Sequence, residues 1–329
     1  MKLIDNHGRT VNYLRLAVTD RCNLRCFYCM PANGIRYMAR KDLLSFEEME
    51  RLVRVLVQSG VNKLRITGGE PLLRNGILDF LSDVSRLPDL KEINLTTNGT
   101  LTADKIETLE RIGIRSINLS LDSLDPERFH AITRRDVFHT VKHALDELLA
   151  SSLEVKINMV VMAGRNTDDI YPMLELARHQ KVNVRFIEEM PFNGTLGQGN
   201  LGFWPMTRIL DHIRQQYPIE KLPDPVAATA SHYRVPGFAG SFGVIAAFTR
   251  NFCGSCNRIR VTPQGGLRTC LYGDPVLQLR DLMREGISDD GLQQKVLYTL
   301  NQRARNGFEA EAQRAAARPV SESMATIGG

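Results

Sequence analysis

Short apolar runs alternate with amphipathic stretches along the N-terminal half of the chain. Six of these runs predict β-strands, because each is brief, rich in aliphatic or β-branched residues and bounded by turn-forming residues. The strands are predicted at Tyr13–Val18, Lys63–Ile66, Glu92–Leu95, Ser116–Leu119, Glu154–Val160 and Asn183–Ile187. Between them, apolar residues recur at the spacing of one helix face, which predicts connecting helices.

The stretch Ser45–Gln58 is the clearest predicted helix. Ser45 and Glu48 have the spacing of a capping box, in which each side chain accepts a hydrogen bond from the other residue's backbone. Met49, Leu52, Val53 and Leu56 then form one apolar stripe. Two further helices are predicted, one after Asp125-Pro126 and one over Thr167–Arg178.

Six strand–helix units in series predict a parallel sheet with helices outside. Six are too few for an eight-unit TIM barrel, so the predicted fold class is α/β, a partial, six-unit TIM-type βα barrel. The regular alternation of strands and helices ends at Pro191. Further along the chain, the pattern predicts a strand at Phe238–Phe248 and a helix at Val276–Arg284. We therefore expect two domains, the partial barrel over residues 1–230 and a C-terminal extension over residues 231–329.

Composition narrows the class of protein only slightly. The chain has 329 residues, 43% of them hydrophobic and 24% charged, which is typical of globular proteins. It contains no apolar run of about 18 residues that could span a membrane, and its start lacks the apolar segment of a signal peptide. We expect a cytoplasmic protein. The net charge of +5 is compatible with an anionic ligand but does not identify one.

Six cysteines fall into two groups of three, and the first is Cys22-x3-Cys26-x2-Cys29. In a reducing compartment such groups indicate metal rather than disulfides. Three thiolates hold three irons of a 4Fe-4S cluster and leave the fourth iron open. Zinc is the alternative, but it prefers a closed tetrahedron built from two separated ligand pairs. The spacing therefore favours an iron–sulfur cluster with an open position.

The second group is Cys253-x2-Cys256-x13-Cys270, and it is accompanied by arginines. Arg258 and Arg260 alternate as on a strand, so both face one side of it, and Arg268 lies on what reads as the returning strand. Guanidinium groups suit phosphate oxygens. The alternatives are a structural zinc knuckle or an electron-relay cluster. The arginines favour a site for an anionic ligand that also carries a metal-ligating atom.

Polar and glycine-rich segments follow the predicted strands, at the edge where α/β barrels hold their active sites. They include the first cysteine group, Gly68-Gly69-Glu70-Pro71, Thr96-Thr97-Asn98-Gly99, Ser120-Leu121-Asp122 and Glu188-Glu189-Met190. None of these segments is specific by itself. Their shared position predicts one active site at the carboxyl ends of the strands.

Cys22, Cys26, Tyr28 and Cys29 resemble the signature loop of the radical S-adenosylmethionine (SAM) superfamily. The resemblance implies that SAM chelates the open iron and that an electron from the cluster cleaves it to a 5′-deoxyadenosyl radical. It also implies SAM contacts at Tyr28, Gly69, Ser120 and Met190. No separate catalytic side chain is expected, because the cofactor supplies the radical.

The two cysteine groups, together with Gly328-Gly329, resemble the branch of this superfamily that cyclises GTP in molybdenum cofactor biosynthesis. The resemblance implies a second 4Fe-4S cluster on Cys253, Cys256 and Cys270 that holds the guanine. It implies an external electron donor, a downstream enzyme that forms the pyranopterin, a homodimer, and a Gly-Gly tail that reaches the active site. The implied GTP contacts are Arg15, Arg65, Thr96, Lys156, Arg185, Arg258, Arg260 and Arg268.

Two rival functions remain at this point. One is a peptide- or protein-modifying radical SAM enzyme with an auxiliary cluster, which would not need so many basic strand residues. The other is a zinc-stabilised nucleic-acid-binding protein, which would leave the ordered strand–helix units without a purpose. Gly197-x-Gly199-x-x-Gly202 has the letters of a dinucleotide fingerprint, but it does not follow a first strand, so we reject it.

Overall fold

One twelve-stranded sheet organises the computed structural model, which describes residues 2–190, 202–314 and 323–327. The strands are β1 (Tyr13–Ala17), β2 (Lys63–Thr67), β3 (Glu92–Thr97), β4 (Ser116–Ser120), β5 (Glu154–Val161), β6 (Asn183–Glu188), β7 (Glu220–Lys221), β8 (Ala230–Arg234), β9 (Ser241–Ile245), β10 (Arg258–Val261), β11 (Gly266–Arg268) and β12 (Leu277–Gln278). Their order across the sheet is β12-β11-β10-β1-β2-β3-β4-β5-β6-β9-β8-β7.

The described residues also form eleven helices. They are α1 (Phe46–Gln58), α2 (Ile77–Ser85), α3 (Ile106–Ile112), α4 (Pro126–Thr133), α5 (Phe138–Ala150), α6 (Ile170–His179), α7 (Met206–Arg214), α8 (Leu279–Arg284), α9 (Asp289–Leu300), α10 (Gly307–Ala312) and α11 (Met324–Ile327). None of them, within the ranges that the structure describes, is both long and apolar enough to cross a membrane.

Strands β1 to β6 lie side by side in chain order and pair in parallel, as predicted. Each begins at the predicted residue and ends within two residues of the predicted end. Helices connect them, so this part is an open α/β sheet consistent with a partial barrel. A parallel strand pair needs such crossovers, which is why the alternation in the sequence predicts the order of the strands.

The predicted cap of α1 is confirmed in atomic detail. The Ser45 hydroxyl accepts from the Glu48 backbone N–H at 3.2 Å, and a Glu48 carboxylate oxygen accepts from the Ser45 N–H at 2.8 Å. Asp125 caps α4 in the same way, accepting from the Arg128 N–H at 2.8 Å ahead of Pro126. Local side chain–backbone hydrogen bonds therefore define these helix starts, which is why the sequence alone predicts them.

The C-terminal part of the chain joins both edges of the same sheet. Strand β9 pairs in parallel with β6, and β10 pairs in parallel with β1. The predicted strand Phe238–Phe248 shrinks to β9. The predicted helix Val276–Arg284 is wrong at its start: Val276 donates to Leu267 O at 2.8 Å and β12 pairs with β11, so the helix begins only at Leu279. Pairing of this segment with the free edge of β11 overrides its local helical periodicity.

The two faces of the sheet differ in chemistry. In β1, Leu14 and Leu16 are fully buried and join the core with side chains of α1 such as Met49, whereas Tyr13 and Arg15 point to the opposite face. The same alternation continues in the neighbouring strands. The helices thus cover an apolar face, and the other face carries the polar residues that line the site.

Candidate active site

The polar face of the sheet lines a cavity of about 680 Å³. This volume is within the range of roughly 300–1,000 Å³ that is typical of small-molecule sites. Both cysteine groups line it, so residues about 230 positions apart in sequence share one cavity. All predicted cofactor and substrate contacts line it too, with one exception described below.

The first cysteine group lies in the loop after β1, and its three thiols form no disulfide. The Asn98 amide donates to the Cys22 sulfur at 3.6 Å, and the Ser323 hydroxyl lies 4.0 Å from the Cys29 sulfur. Burial and the Asp122 carboxylate raise the pKa of Cys26 well above its ordinary value, and burial and Cys22 raise the pKa of Cys29 to about 12. Such thiols become good ligands only when a metal stabilises the thiolate.

These residues fit a cluster better than a single ion. Among the described residues, no three histidine, cysteine or carboxylate side chains converge closely enough to hold one metal ion. The three thiols instead border a common cavity, and a 4Fe-4S cluster takes one thiolate on each of three iron corners. The donor set, three free thiols with no histidine among them, fits an iron–sulfur cluster.

Gly69 fits tightly against the cysteine loop. A Cβ at this position would lie 2.1 Å from the Arg21 carbonyl oxygen and 3.0 Å from the Cys22 backbone nitrogen. The Gly69 N–H donates to Thr19 O at 2.8 Å, so the backbones of the loops after β1 and β2 are in direct contact. Only glycine permits this approach, which explains the residue type at the predicted position.

The other predicted SAM contacts border the cavity between the two cysteine groups. The Tyr28 hydroxyl donates to Asp122 at 2.7 Å, and burial raises the pKa of Asp122 to about 6. Ser120 ends β4, and the Met190 sulfur accepts from the Tyr272 hydroxyl at 3.6 Å. The Tyr28–Asp122 bond fixes the aromatic ring at the wall of the cavity.

A row of four arginines crosses the sheet beside the second cysteine group. Arg65 on β2 pairs in register with Arg15 on β1, Arg15 with Arg260 on β10, and Arg260 with Arg268 on β11. Like charges at directly opposite positions destabilise a sheet, so this row has no structural advantage. It makes sense as a binding surface for a highly anionic ligand.

Burial and mutual repulsion lower the pKa values of several arginines in and near this row. Burial and Arg260 lower the pKa of Arg15 well below its ordinary value, and burial and Arg258 lower the pKa of Arg260 to about 10. On β6, burial and Arg65 lower the pKa of Arg185 to about 10. A bound anion would offset this repulsion and raise these pKa values.

Two further predicted contacts, Thr96 and Lys156, line the cavity near the row. Arg65 donates to the Thr96 hydroxyl at 3.4 Å, and the Lys156 ammonium forms an ion pair with Glu154 at 2.7 Å. Burial lowers the pKa of Lys156, and the hydrogen bond from its ammonium to Glu154 offsets part of this effect. Both side chains line the cavity, Thr96 from β3 and Lys156 from β5 of the same sheet.

Arg268 is the exception among the predicted contacts. It is buried, it donates to Gly273 O at 2.7 Å, and it is not among the residues that line the cavity. Its registered pairing with Arg260 places it beside that residue, on the next strand of the sheet. Its hydrogen bond to Gly273 supports the turn that precedes β12, and its contact with GTP stays a prediction.

Sequence reasoning missed several polar residues of the cavity wall, among them three that lie on the same strands as predicted contacts, Tyr13, Asn118 and Asn158. Arg65 donates to the Tyr13 hydroxyl at 2.5 Å. Burial raises the pKa of Tyr13, but Arg65 and Arg15 outweigh it and lower the pKa to about 7. The signal was available, because each of the three is two positions from a predicted contact on the same strand and so shares its face.

The C-terminal tail approaches the first cysteine group. The Met324 N–H donates to Cys29 O at 3.3 Å, Met324 and Ala325 line the cavity, and Ile327 packs with Tyr272. The predicted Gly328-Gly329 lies outside the described residues, as do Gly197 and Gly199 of the rejected fingerprint.

Comparison with known proteins identifies the class. The family model of the radical SAM superfamily matches residues 16–177, and that of the Molybdenum Cofactor Synthesis C family matches residues 182–308. The structure resembles Streptococcus suis SuiB bound to precursor peptide SuiA, with a TM-score of 0.61 and 14% identity over 94% of this chain and 69% of that one. It also resembles anSMEcpe with bound AdoMet and a peptide, with a TM-score of 0.57 and 17% identity over 96% and 93% of the two chains. These structural likenesses show the fold.

The fold and the family model define a radical SAM enzyme, which uses SAM and a 4Fe-4S cluster. GTP 3′,8-cyclase of Syntrophomonas wolfei is 41% identical, over 91% of this chain and 92% of its own length. GTP 3′,8-cyclase of Moorella thermoacetica is 39% identical over 88% and 90%. The chain belongs to the GTP 3′,8-cyclase family.

The human relative extends the comparison. Molybdenum cofactor biosynthesis protein 1 of Homo sapiens is 40% identical over 88% of this chain, which spans 46% of that protein. The predicted resemblance is thereby confirmed, and the two rival functions are not favoured.

Proposed function

We propose that this chain converts GTP to (8S)-3′,8-cyclo-7,8-dihydroguanosine 5′-triphosphate, the first step of molybdenum cofactor biosynthesis. The observation that carries the proposal is the registered alignment of Arg65, Arg15 and Arg260, three members of the arginine row, on the wall of a cavity that both cysteine groups share. Family membership supports the reaction, and the row supports a triphosphate as the anion.

We assign the first cluster to Cys22, Cys26 and Cys29 and the second to Cys253, Cys256 and Cys270. When bound, the first cluster and SAM supply the radical that removes a hydrogen atom from the ribose of GTP. Tyr28, Gly69, Ser120 and Met190 hold SAM against the first cysteine loop. Gly69 does so by leaving room for the loop, and Tyr28 through a ring that Asp122 orients.

The chain's own residues bind and orient GTP. The guanidinium groups of Arg15, Arg65 and Arg260, which are paired in register on adjacent strands, bind the triphosphate. Arg258 lies two residues before Arg260 on β10 and so shares its face of the sheet. Thr96 on β3, Lys156 on β5 and Arg185 on β6 bind from other strands of the same sheet, and Arg268 flanks Arg260 from β11. The second cysteine group, next to Arg258, would fix the guanine, so that the ribose faces the first cysteine group across the cavity.

The proposed division of labour follows the predicted domains. Residues 1–230 carry the radical-forming half, and residues 231–329 carry the base-binding cluster and the tail. An external electron donor would supply electrons, and a downstream enzyme would convert the product to the pyranopterin. A homodimer stays a prediction, and analytical ultracentrifugation of the reconstituted protein tests it.

Anaerobic reconstitution with iron and sulfide, followed by incubation with SAM, a reductant and GTP, tests the function. We expect about eight irons per chain, as two 4Fe-4S clusters require, and the formation of 5′-deoxyadenosine together with the cyclised nucleotide. Protein that carries both clusters but makes neither product contradicts the proposal. About one zinc per cysteine group, without labile sulfide, contradicts the assignment of the clusters.

A further inference from the structure

A buried ionic cluster lies behind the second cysteine group. Arg303 is 3% exposed and Asp5 is 4% exposed, and they form an ion pair at 3.2 Å. Arg9 pairs with the same carboxylate at 2.7 Å. Asp5 and Arg9 belong to the N-terminal hairpin, whereas Arg303 follows α9. None of the three lines the cavity.

Arg303 connects this ionic cluster to a proposed cluster ligand. One of its terminal nitrogens donates to the Cys256 sulfur at 3.1 Å and to Arg258 O at 2.9 Å. The other donates to Cys256 O at 3.0 Å. A single guanidinium thus binds both the sulfur and the backbone of Cys256. Arg9 donates to Cys253 O at 3.1 Å, so the same ionic cluster also supports the first cysteine of the group.

We propose that Arg303 is a positioning residue that orients Cys256 and raises the reduction potential of the second cluster. The inference rests on the proposed function, because it takes Cys256 to be a cluster ligand. Hydrogen bonds to ligand sulfurs and nearby charge set the potential of an iron–sulfur cluster. A cationic donor on the thiolate stabilises the reduced form, which carries one more negative charge. Asp5 and Arg9 hold the guanidinium in this orientation.

This role differs from that of the substrate-facing arginines. Arg258 and Arg260 line the cavity, so their replacement alters GTP binding directly. Arg303 contacts the Cys256 sulfur but is not among the residues that line the cavity. Its replacement should change the cluster before any nucleotide is added.

The test uses the full-length chain with Cys22, Cys26 and Cys29 replaced by serine, so that only the second cluster contributes to the signal. The chain is reconstituted anaerobically, iron and sulfide are counted, and the potential is measured by a redox titration followed by electron paramagnetic resonance. The variants are Arg303→Met, which removes the donor, and Arg303→Lys, which keeps the charge. Arg305→Met is the matched control, because Arg305 is exposed in the same loop.

We expect Arg303→Met to make reduction about tenfold less favourable, a shift of about 59 mV for one electron. Arg303→Lys should shift the potential in the same direction by less, and Arg305→Met should not shift it. Loss of the cluster from Arg303→Met alone, with a lowered potential in Arg303→Lys, also supports the proposal. If Arg303→Met does not fold, the sign of the shift in Arg303→Lys decides.

An unchanged potential in a cluster-bearing Arg303→Met protein, or in Arg303→Lys where that variant decides, overturns the inference. Loss of iron from both folded variants also overturns it, because the residue would then only close the loop. The protein that keeps Arg303 distinguishes a failure of the proposed function from a failure of the inference about Arg303. If the chain with arginine at position 303 holds no second cluster, the proposed function has failed rather than the inference.

Discussion

The two cysteine groups share one cavity but lie in opposite electrostatic environments. Cys26 lies near the buried Asp122 carboxylate, and burial and Asp122 raise its thiol pKa well above the ordinary value. At Cys256, burial also raises the pKa, but Arg258 and Arg303 outweigh it and lower the pKa to about 7. Cys26 therefore lies beside a carboxylate, whereas Cys256 lies among guanidinium groups.

This difference indicates two roles. Negative surroundings lower the reduction potential of a cluster, which suits a cluster that must reduce a stable sulfonium. Positive surroundings suit a cluster that holds an anionic nucleotide and does not need to be a strong reductant. The contrast supports the proposed assignment of radical formation to the first group and substrate binding to the second.

Replacement of one cysteine in each group should have the largest effect and separates the two roles. Cys26→Ala should abolish 5′-deoxyadenosine, a loss well above the 10–100-fold that outer-shell changes cause. Cys256→Ala should abolish the cyclised nucleotide while slow cleavage of SAM continues. Both products are measured by chromatography after anaerobic incubation. If Cys256→Ala removes 5′-deoxyadenosine as completely as Cys26→Ala, the two groups do not have separate roles.

The arginine row should give the next largest effect. Arg15→Ala and Arg260→Ala each remove a charged hydrogen-bonding group worth about 1.5–3 kcal/mol, so the dissociation constant of GTP should rise by roughly 10–150-fold. SAM cleavage should continue, because neither residue is among those that we assign to the first cluster or to SAM. Calorimetric titration with GTP measures the change. Arg86→Ala, at an exposed arginine on the helical side, is the matched control and should bind GTP normally. Normal binding by both row variants would show that the row is not the triphosphate site.

Tyr13 should make GTP binding depend on pH. Its pKa of about 7 in the free protein makes it a phenolate above that pH, and a bound triphosphate would raise the pKa again. Binding above pH 7 must therefore take up a proton, whereas binding below pH 7 does not. The affinity should fall about tenfold from pH 6 to pH 8, the limit set by one proton per GTP. Tyr13→Phe should flatten this profile, and a profile that is unchanged in Tyr13→Phe would contradict the assignment.

Local chemistry is what the sequence predicted well. Three features depend on residues that are close together in the chain: the capping box at Ser45, the six parallel strands and both cysteine groups. The spacing of these residues in the sequence is therefore enough to predict them. The arginine row is different. Arg15 and Arg65 were each expected at the site, but their registered alignment with Arg260 depends on β10 pairing with β1, more than 240 residues away in sequence.

The contact of Arg303 with Cys256 illustrates the same limit. Nothing near Arg303 in the sequence marks it, because its partners come from the N-terminal hairpin and the second cysteine loop. The misplaced start of α8 has a related cause, since β12 forms only because β11 offers it an edge. Pairings between distant segments decide these features, and one sequence carries no direct record of them.

The smallest expected effect concerns Ser323, the neutral counterpart of Arg303. Its hydroxyl lies 4.0 Å from the Cys29 sulfur, a weak and uncharged contact, whereas Arg303 offers a charged donor at 3.1 Å to Cys256. Charged hydrogen bonds are about twice as strong as neutral ones. Ser323→Ala should therefore shift the reduction equilibrium of the first cluster by about twofold at most, roughly 0.5 kcal/mol. The potential is measured in the chain with Cys253, Cys256 and Cys270 replaced by serine. A shift as large as that of Arg303→Met would show that the tail, and not only the carboxylates, sets the potential of the first cluster.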